Sequence, residues 1–199
     1  EVYSPPELTE KRKKGAKIKG LAGDPVSHWQ RHANGLPTIA FCSSRYTSQA
    51  LVDKFDDAGI AAEHIDAKVS DIADPETGLS ARDHFYLRLA KGETKVLCSV
   101  GLLIEGVDIP EVSCILMWCK CGSMVKWRQG TGRAMRPAEG KTKAVILDHS
   151  GAVGMHGLPG EDVEWSLDLG STVTSRRKQA IEDGRLARPV VFRQCGFSF

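Results

Sequence analysis

The sequence predicts an α/β fold, a mostly parallel β-sheet with helices on both faces, followed by an irregular C-terminal extension. Three observations predict it. Short apolar runs of strand length recur between residues 38 and 148. Segments with apolar positions at helical spacing lie between them. Alternation of such strands with helices of about 10–15 residues implies βαβ units, whose strands are covered on both faces. The chain has 199 residues, of which 41% are apolar. That is enough for one sizeable core, alone or with a small appendage.

The elements follow in order. Residues 1–23 read as a basic linker, with two prolines, three glycines and the run KRKKGAKIK. Asp24-Pro25 opens a helix, Asp as N-cap and Pro at the first position, running to about Ala33. Residues 38–42 (TIAFC) read as a buried strand. Ser44 to Ala58 reads as a helix, with Ala50, Leu51, Phe55 and Ala58 on one face and Gly59 as its stop. Ala61 to Ile65 is a short strand, and 66–80 is a loop. Ala81 to Lys91 is a helix. Lys95 to Ser99 and Val112 to Trp118 are strands, Ser123 to Met135 carries one or two short helices, and Lys143 to Asp148 is the last strand. The core domain is set at 24–150. Beyond it, 151–199 loses clear periodicity, with one helix expected around Arg176 to Asp183. Cys195-Gly196 resembles one knuckle of a zinc ribbon, but a zinc site needs four ligands, so no metal is assigned.

Composition excludes several classes. No apolar run approaches the roughly 18 residues of a membrane span, and the polar N-terminus does not suit a signal peptide. Six cysteines fit a reducing, cytoplasmic setting better than a disulfide scaffold. Cys42, Cys98 and Cys114 fall inside strands and read as core, and Cys119-Lys120-Cys121 reads as a strand-end turn. The first residue is Glu, so the expectation is a piece of a longer protein. Residues 21–175 hold 15 basic and 20 acidic side chains, which argues against a generally basic nucleic-acid binder. One stretch is an exception: Lys120 to Lys143 holds seven basic residues and a single acid, Glu139. It reads either as a solvated face or as a place to hold a phosphate.

Three motifs carry the chemistry. Gly140-Lys141-Thr142 imitates the end of a P-loop, but position 135 is Met where a glycine is required, and no strand precedes it. It is read as a turn entering the last strand. The run 96–110, VLCSVGLLIEGVDIP, takes a buried strand through Ser99 to Gly106-Val107-Asp108. Strand ends in parallel sheets face the ligand crevice. Ser99 and nearby amides could hold a phosphate oxygen, and Asp108 could accept from a ribose hydroxyl; the alternative is an ordinary loop with a capping Asp. In 129–136, QGTGRAMR, helical spacing places Arg133 and Arg136 on one face with Gln129 a turn earlier. Two guanidinium groups so placed suit a polyphosphate, and the alternative is a surface patch. Trp118 and Trp127 flank this region and read as packing, with base stacking as the alternative.

IAFCSS (39–44), VLCSVGLLIEGVDIP (96–110) and QGTGRAMRP (129–137), in this order, resemble motifs IV, V and VI of the second RecA-like lobe of superfamily 2 helicases. The flavour resembles DEAD/DEAH-type helicases of phages and bacteria and the type III restriction subunit group. In that group a zinc-binding segment can follow a tail like DHSGAV…HGLP…EWSLD. Gln129 departs from the histidine usual in DEAD-box RNA helicases, and 66–82 is longer than the compact family version.

The resemblance implies an ATP-dependent nucleic-acid helicase or translocase, with DNA expected over RNA. Arg133 and Arg136 would be arginine fingers to ATP bound on a first lobe of the same protein, with Gln129 coupling nucleotide to motif V. Gly106, Asp108 and Gly132 would lie on the ATP side. Ser43, Ser44, Arg45 and Ser99 would lie along the nucleic-acid backbone. ATP and Mg²⁺ would be held mainly by that first lobe, and this chain alone would be inactive. The alternatives are a translocase lobe of a restriction system that does not separate strands, and a degenerate lobe that binds nucleic acid or protein.

Overall fold

The computed structural model describes residues 2–3, 21, 23–101, 109–163 and 172–184. Gly106 and Asp108, most of segment 1–23 and the Cys195-Gly196 pair lie outside the described residues.

Six strands form one all-parallel sheet. They are β1 (Val2–Tyr3), β2 (Thr38–Cys42), β3 (Ala62–Asp66), β4 (Val96–Val100), β5 (Cys114–Trp118) and β6 (Val145–Asp148), in spatial order β1-β6-β5-β2-β4-β3. The register is continuous across the sheet: Thr38 pairs with both Val96 and Cys114, and Cys42 with both Val100 and Trp118. Because every strand is parallel, one edge collects the C-terminal ends Cys42, Asp66, Val100, Trp118 and Asp148. The opposite edge collects the starts, where Ser113 N donates to Pro37 O and Val145 N to Ser113 O.

Alternation along the strands builds two cores. Ile39, Phe41, Ile65, Leu97, Ile115, Met117 and Ile146 face one side. Ala40, Cys42, Ala62, Val96, Cys98, Cys114, Leu116, Val145 and Leu147 face the other. Both faces are covered, which is why the strands read as continuous apolar runs rather than alternating ones. On the second face lie α1 (Pro25–His32) and α2 (Arg45–Asp57). Trp29 of α1 meets Phe55 of α2 edge-on at 5.8 Å, and its indole N–H donates to Thr38 Oγ1 at 2.7 Å. On the first face lie α3 (Ala81–Ala90), α4 (Met124–Gly132) and α5 (Ala152–His156). A last helix, α6 (Val173–Glu182), follows.

Helix starts obey the chemistry of caps. Asp24 accepts from Ser27 N at 2.9 Å, with Pro25 opening α1. Ser44 and Thr47 form a reciprocal capping box on α2, and Ser80 and Asp83 one on α3.

The structure differs from the sequence reading in three places. Val2 and Tyr3, read as part of a linker, pair in parallel with Ile146 and Leu147. The outer edge of β6 offers unpaired backbone groups, and two strand-forming residues suffice to use them. Next, α4 ends at Gly132 rather than near Met135. Single i→i+3 bonds follow (Ala134 to Thr131, Met135 to Gly132), and Pro137 disfavours helical backbone at Arg136. Finally, the stretch after Asp148 is not irregular throughout. The Asp148 carboxylate accepts from the amides of Ala152 at 3.0 Å and Val153 at 2.8 Å, starting α5, which puts both residues in the core. Five residues are too few to show a helical period, so the sequence pattern is silent there.

Candidate nucleotide and nucleic-acid interfaces

Those sequence-predicted site residues that are described fall toward opposite edges of the sheet. A five-residue strand separates the edges by roughly 13 Å.

At the C-terminal edge, β2 leads into Ser43, Ser44 and Arg45. Ser44 spends its hydroxyl on the cap of α2, accepting from Thr47 N at 3.2 Å. Ser43 is exposed, with its hydroxyl 3.3 Å from that of Thr47. Arg45 is exposed and donates through Nε to the carboxylate of Asp66, at the end of β3. Asp66 is buried and also accepts from Lys68 N at 2.8 Å, while its second oxygen lies 3.1 Å from His64 Nε2. His64 Nδ1 in turn sits 2.7 Å from Ser48 Oγ, which donates to Cys98 O. The Arg45 guanidinium, helped by the Lys68 amide and His64 and opposed by burial, holds the Asp66 carboxyl well below the usual carboxylate range. This chain of contacts fixes Arg45 at the mouth of an open groove of about 500 Å³ lined by Arg45, Tyr46, Gln49, His64, Lys68 and Val69. Tyr46 is 83% exposed there. Cationic and aromatic groups beside a helix N-terminus suit a phosphate backbone. Ser99, by contrast, is 1% exposed, in register with Phe41 and Ile65 inside the sheet.

The arginine-bearing turn lies toward the opposite edge. Within α4, Gly130 packs against Phe41 so closely that a Cβ would stand 3.1 Å from the Phe41 ring. Trp127 is fully buried, its indole donating to Gly157 O at 3.1 Å, and Thr131 bonds back to Trp127 O. These contacts lock α4 onto the sheet and leave Gln129 exposed. A Cβ at Gly132 would meet nothing within 4 Å. Arg133 is the C-cap of α4 and is 7% exposed, and Arg136 follows in the turn, exposed. The two arginines therefore share a tight turn rather than a helix face. After them the chain turns through Ala138–Lys141, where Gly140 takes φ +72. The Lys141 ammonium donates to Arg136 O at 2.7 Å, Pro110 O at 3.0 Å and Val112 O at 2.6 Å. Burial pulls the Lys141 pKa down to about 8, with Glu111 pushing it back up. At neutral pH it stays charged, with all three protons available.

The sequence reading missed Asp66, His64 and Lys141. The first two carried only the signal of polar residues near a strand end, and Lys141 was read merely as a turn. Among the described residues no three His, Cys, Asp or Glu side chains gather to hold a metal ion, and no helix is long and apolar enough to cross a membrane.

The family described as "Helicase conserved C-terminal domain" matches residues 21–138. The "51.5 kDa protein" of Lactococcus phage (isolate 7-9) is 35% identical over 147 residues, covering 74% of this chain and 30% of that protein. "Putative ATP-dependent helicase IRC3" of Saccharomyces cerevisiae is 30% identical over 115 residues, covering 58% of this chain and 16% of that protein. Among solved structures, the E. coli DEAD-box protein SrmB, crystallised bound to regulator of ribonuclease activity A, matches at 19% identity. Its TM-score is 0.48, over 73% of each chain. The chain thus spans less than a third of the length of these curated relatives. With the family match covering more than half of the chain, on an all-parallel α/β sheet, this protein belongs to the helicase conserved C-terminal domain family and is the C-terminal lobe of a superfamily 2 helicase.

Proposed function

We propose that this lobe is the second motor lobe of an ATP-dependent helicase or translocase acting on nucleic acid, with DNA as the expected strand. Arg133 and Arg136 reach ATP held on a first lobe, with Gln129, Gly106, Asp108 and Gly132 on the nucleotide side. Ser43, Ser44 and Arg45, with Ser99 behind them in the sheet, lie on the nucleic-acid side. The observation that carries this reading is the joining of the arginine turn to the segment just after Asp108, through one ammonium shared by Arg136, Pro110 and Val112.

ATP is the substrate, and the reaction is transfer of its terminal phosphoryl group to water. An arginine positioned from outside the phosphate cradle neutralises charge on the phosphoryl oxygens in the transition state. Mg²⁺ would be held mainly by the first lobe and would supply charge neutralisation to the phosphates. Arg133 and Arg136 are cations, whose chemistry fits the phosphate anion rather than a metal ion. Closure of the two lobes on ATP and reopening after hydrolysis would move the strand bound along the Arg45 edge.

The test is ATP turnover by the full-length protein. Arg133→Ala and Arg136→Ala each lower it by roughly 10³-fold with a smaller effect on nucleotide affinity, while the 199-residue chain alone turns over no ATP. Wild-type turnover in both arginine variants would overturn the reading.

A further inference from the structure

Lys141 belongs to none of the motifs that the family resemblance rests on, yet its ammonium makes three hydrogen bonds to backbone carbonyls. Its Nζ is within 3.0 Å of three backbone carbonyl oxygens from two separate segments: Pro110 and Val112 before β5, and Arg136 after α4. An ammonium carries three N–H donors and no acceptor. Here all three are taken, and bonds from a charged donor are the stronger kind. Without Lys141 three carbonyls would converge around a half-buried space with their negative ends together.

The rest of the turn is built to deliver this side chain. Lys141 N donates to Ala138 O at 3.1 Å, and Gly140 takes the left-handed conformation that reverses the chain. Arg136 itself is exposed, just past a helix that has already ended. The Arg136 backbone N–H reaches back to Arg133 O, at the cap of α4, over a long 3.4 Å, and the 2.7 Å Lys141 contact at its carbonyl is a direct restraint on where its side chain starts.

We propose that Lys141 is a positioning residue for the nucleotide reaction: its ammonium ties the turn carrying Arg136 to Pro110 and Val112 just before β5, so that the Arg136 side chain sets out toward the nucleotide from a point fixed on the sheet. This rests on the reading of Arg136 given above. Lys141 does not touch the nucleotide. It sets the starting point of the side chain that does, and a displacement of about 1 Å in such a group costs up to 10²-fold in rate.

The experiment uses the full-length protein and measures steady-state ATP turnover for wild type, Lys141→Met, Arg136→Ala and the double variant, with thermal melting of each. Lys141→Met keeps the unbranched apolar stem and removes the charged tip. The expected result is a fall in kcat of roughly 10–100-fold, with KM for ATP within about twofold of wild type. The double variant should turn over no more slowly than Arg136→Ala alone, because a lysine acting through Arg136 has nothing left to position. Wild-type kcat in Lys141→Met, or a double variant slower by the product of the single effects, overturns the proposal while leaving the arginine reading intact. Wild-type turnover in Arg136→Ala overturns the arginine reading and the positioning role with it. If Lys141→Met does not fold, Lys141→Arg takes its place: its planar fork keeps the charge but cannot reach three carbonyls as the ammonium does. The expected result is again a kcat loss at unchanged KM, and wild-type kcat there overturns the proposal.

Discussion

Arg45 and Asp66 are joined across the C-terminal edge of the sheet, the exposed guanidinium at the first turn of α2 donating to the buried carboxylate that ends β3. One residue faces solvent where a phosphate backbone would pass, and the other anchors it from within the fold. Acid should therefore loosen this edge. The folded carboxyl is held below its usual range, so its contribution to stability is complete above the unfolded value of about 3.9 and is lost as pH falls below that. Asp66→Asn should melt roughly 2–4 °C below wild type at pH 7. The gap should close as pH drops under about 4, and a gap constant from pH 7 to pH 3 would mean that the ion pair contributes nothing.

Binding of nucleic acid by the isolated chain should be weak and salt-sensitive. The region 21–175 carries more acids than bases, and the exposed cations at the groove are few. With about two to three phosphates neutralised on a single strand, affinity should fall roughly tenfold between 50 and 200 mM salt. Arg45→Ala should shallow that dependence by about one phosphate's worth. Fluorescence anisotropy with a labelled oligonucleotide measures both, and an affinity indifferent to salt would point to another binding mode.

Trp127 should be the side chain in α4 that the fold tolerates losing least. It is fully buried and its indole bonds to Gly157 O. Trp127→Ala should cost about 3–5 kcal/mol. Trp127→Phe keeps most of the volume and leaves one carbonyl unpartnered, for about 1–3 kcal/mol. Urea denaturation of the chain reads the difference, and equal costs would show that the hydrogen bond, not the packing, decides.

Gly157 should resist substitution. It has φ +84, and a Cβ there would stand 2.5 Å from Glu161 Oε2 and 2.6 Å from an Arg177 nitrogen. Those two side chains form the ion pair that ties α6 to the segment after α5, at 2.7 Å. Gly157→Ala should cost about 1–3 kcal/mol from the backbone alone and should also expose α6 to proteolysis. A melting point equal to wild type would show that the turn can relax.

The sequence by itself determined the parallel α/β architecture, because strands buried on both faces must read as continuous apolar runs, as TIAFC, VLCSV and CILMW do. It also determined the helix start at Asp24, since a cap is a bond between neighbours three residues apart, and placed two more starts near Ser44 and Ala81, whose capping boxes the structure shows. Motif order was enough to identify the family. Tertiary structure alone decided what depends on residues far apart in the chain. The sequence put Arg133 and Arg136 on a helix face; only the fold shows α4 ending at Gly132 and the Arg136 carbonyl held by Lys141. It shows Val2 and Tyr3 completing a sheet edge, and Asp148 starting a helix too short to have a period. It also binds Arg45 to a carboxylate 21 residues away. Local propensity is written in local sequence, whereas a carbonyl 31 residues distant reaches the Lys141 ammonium only after the sheet has brought it there.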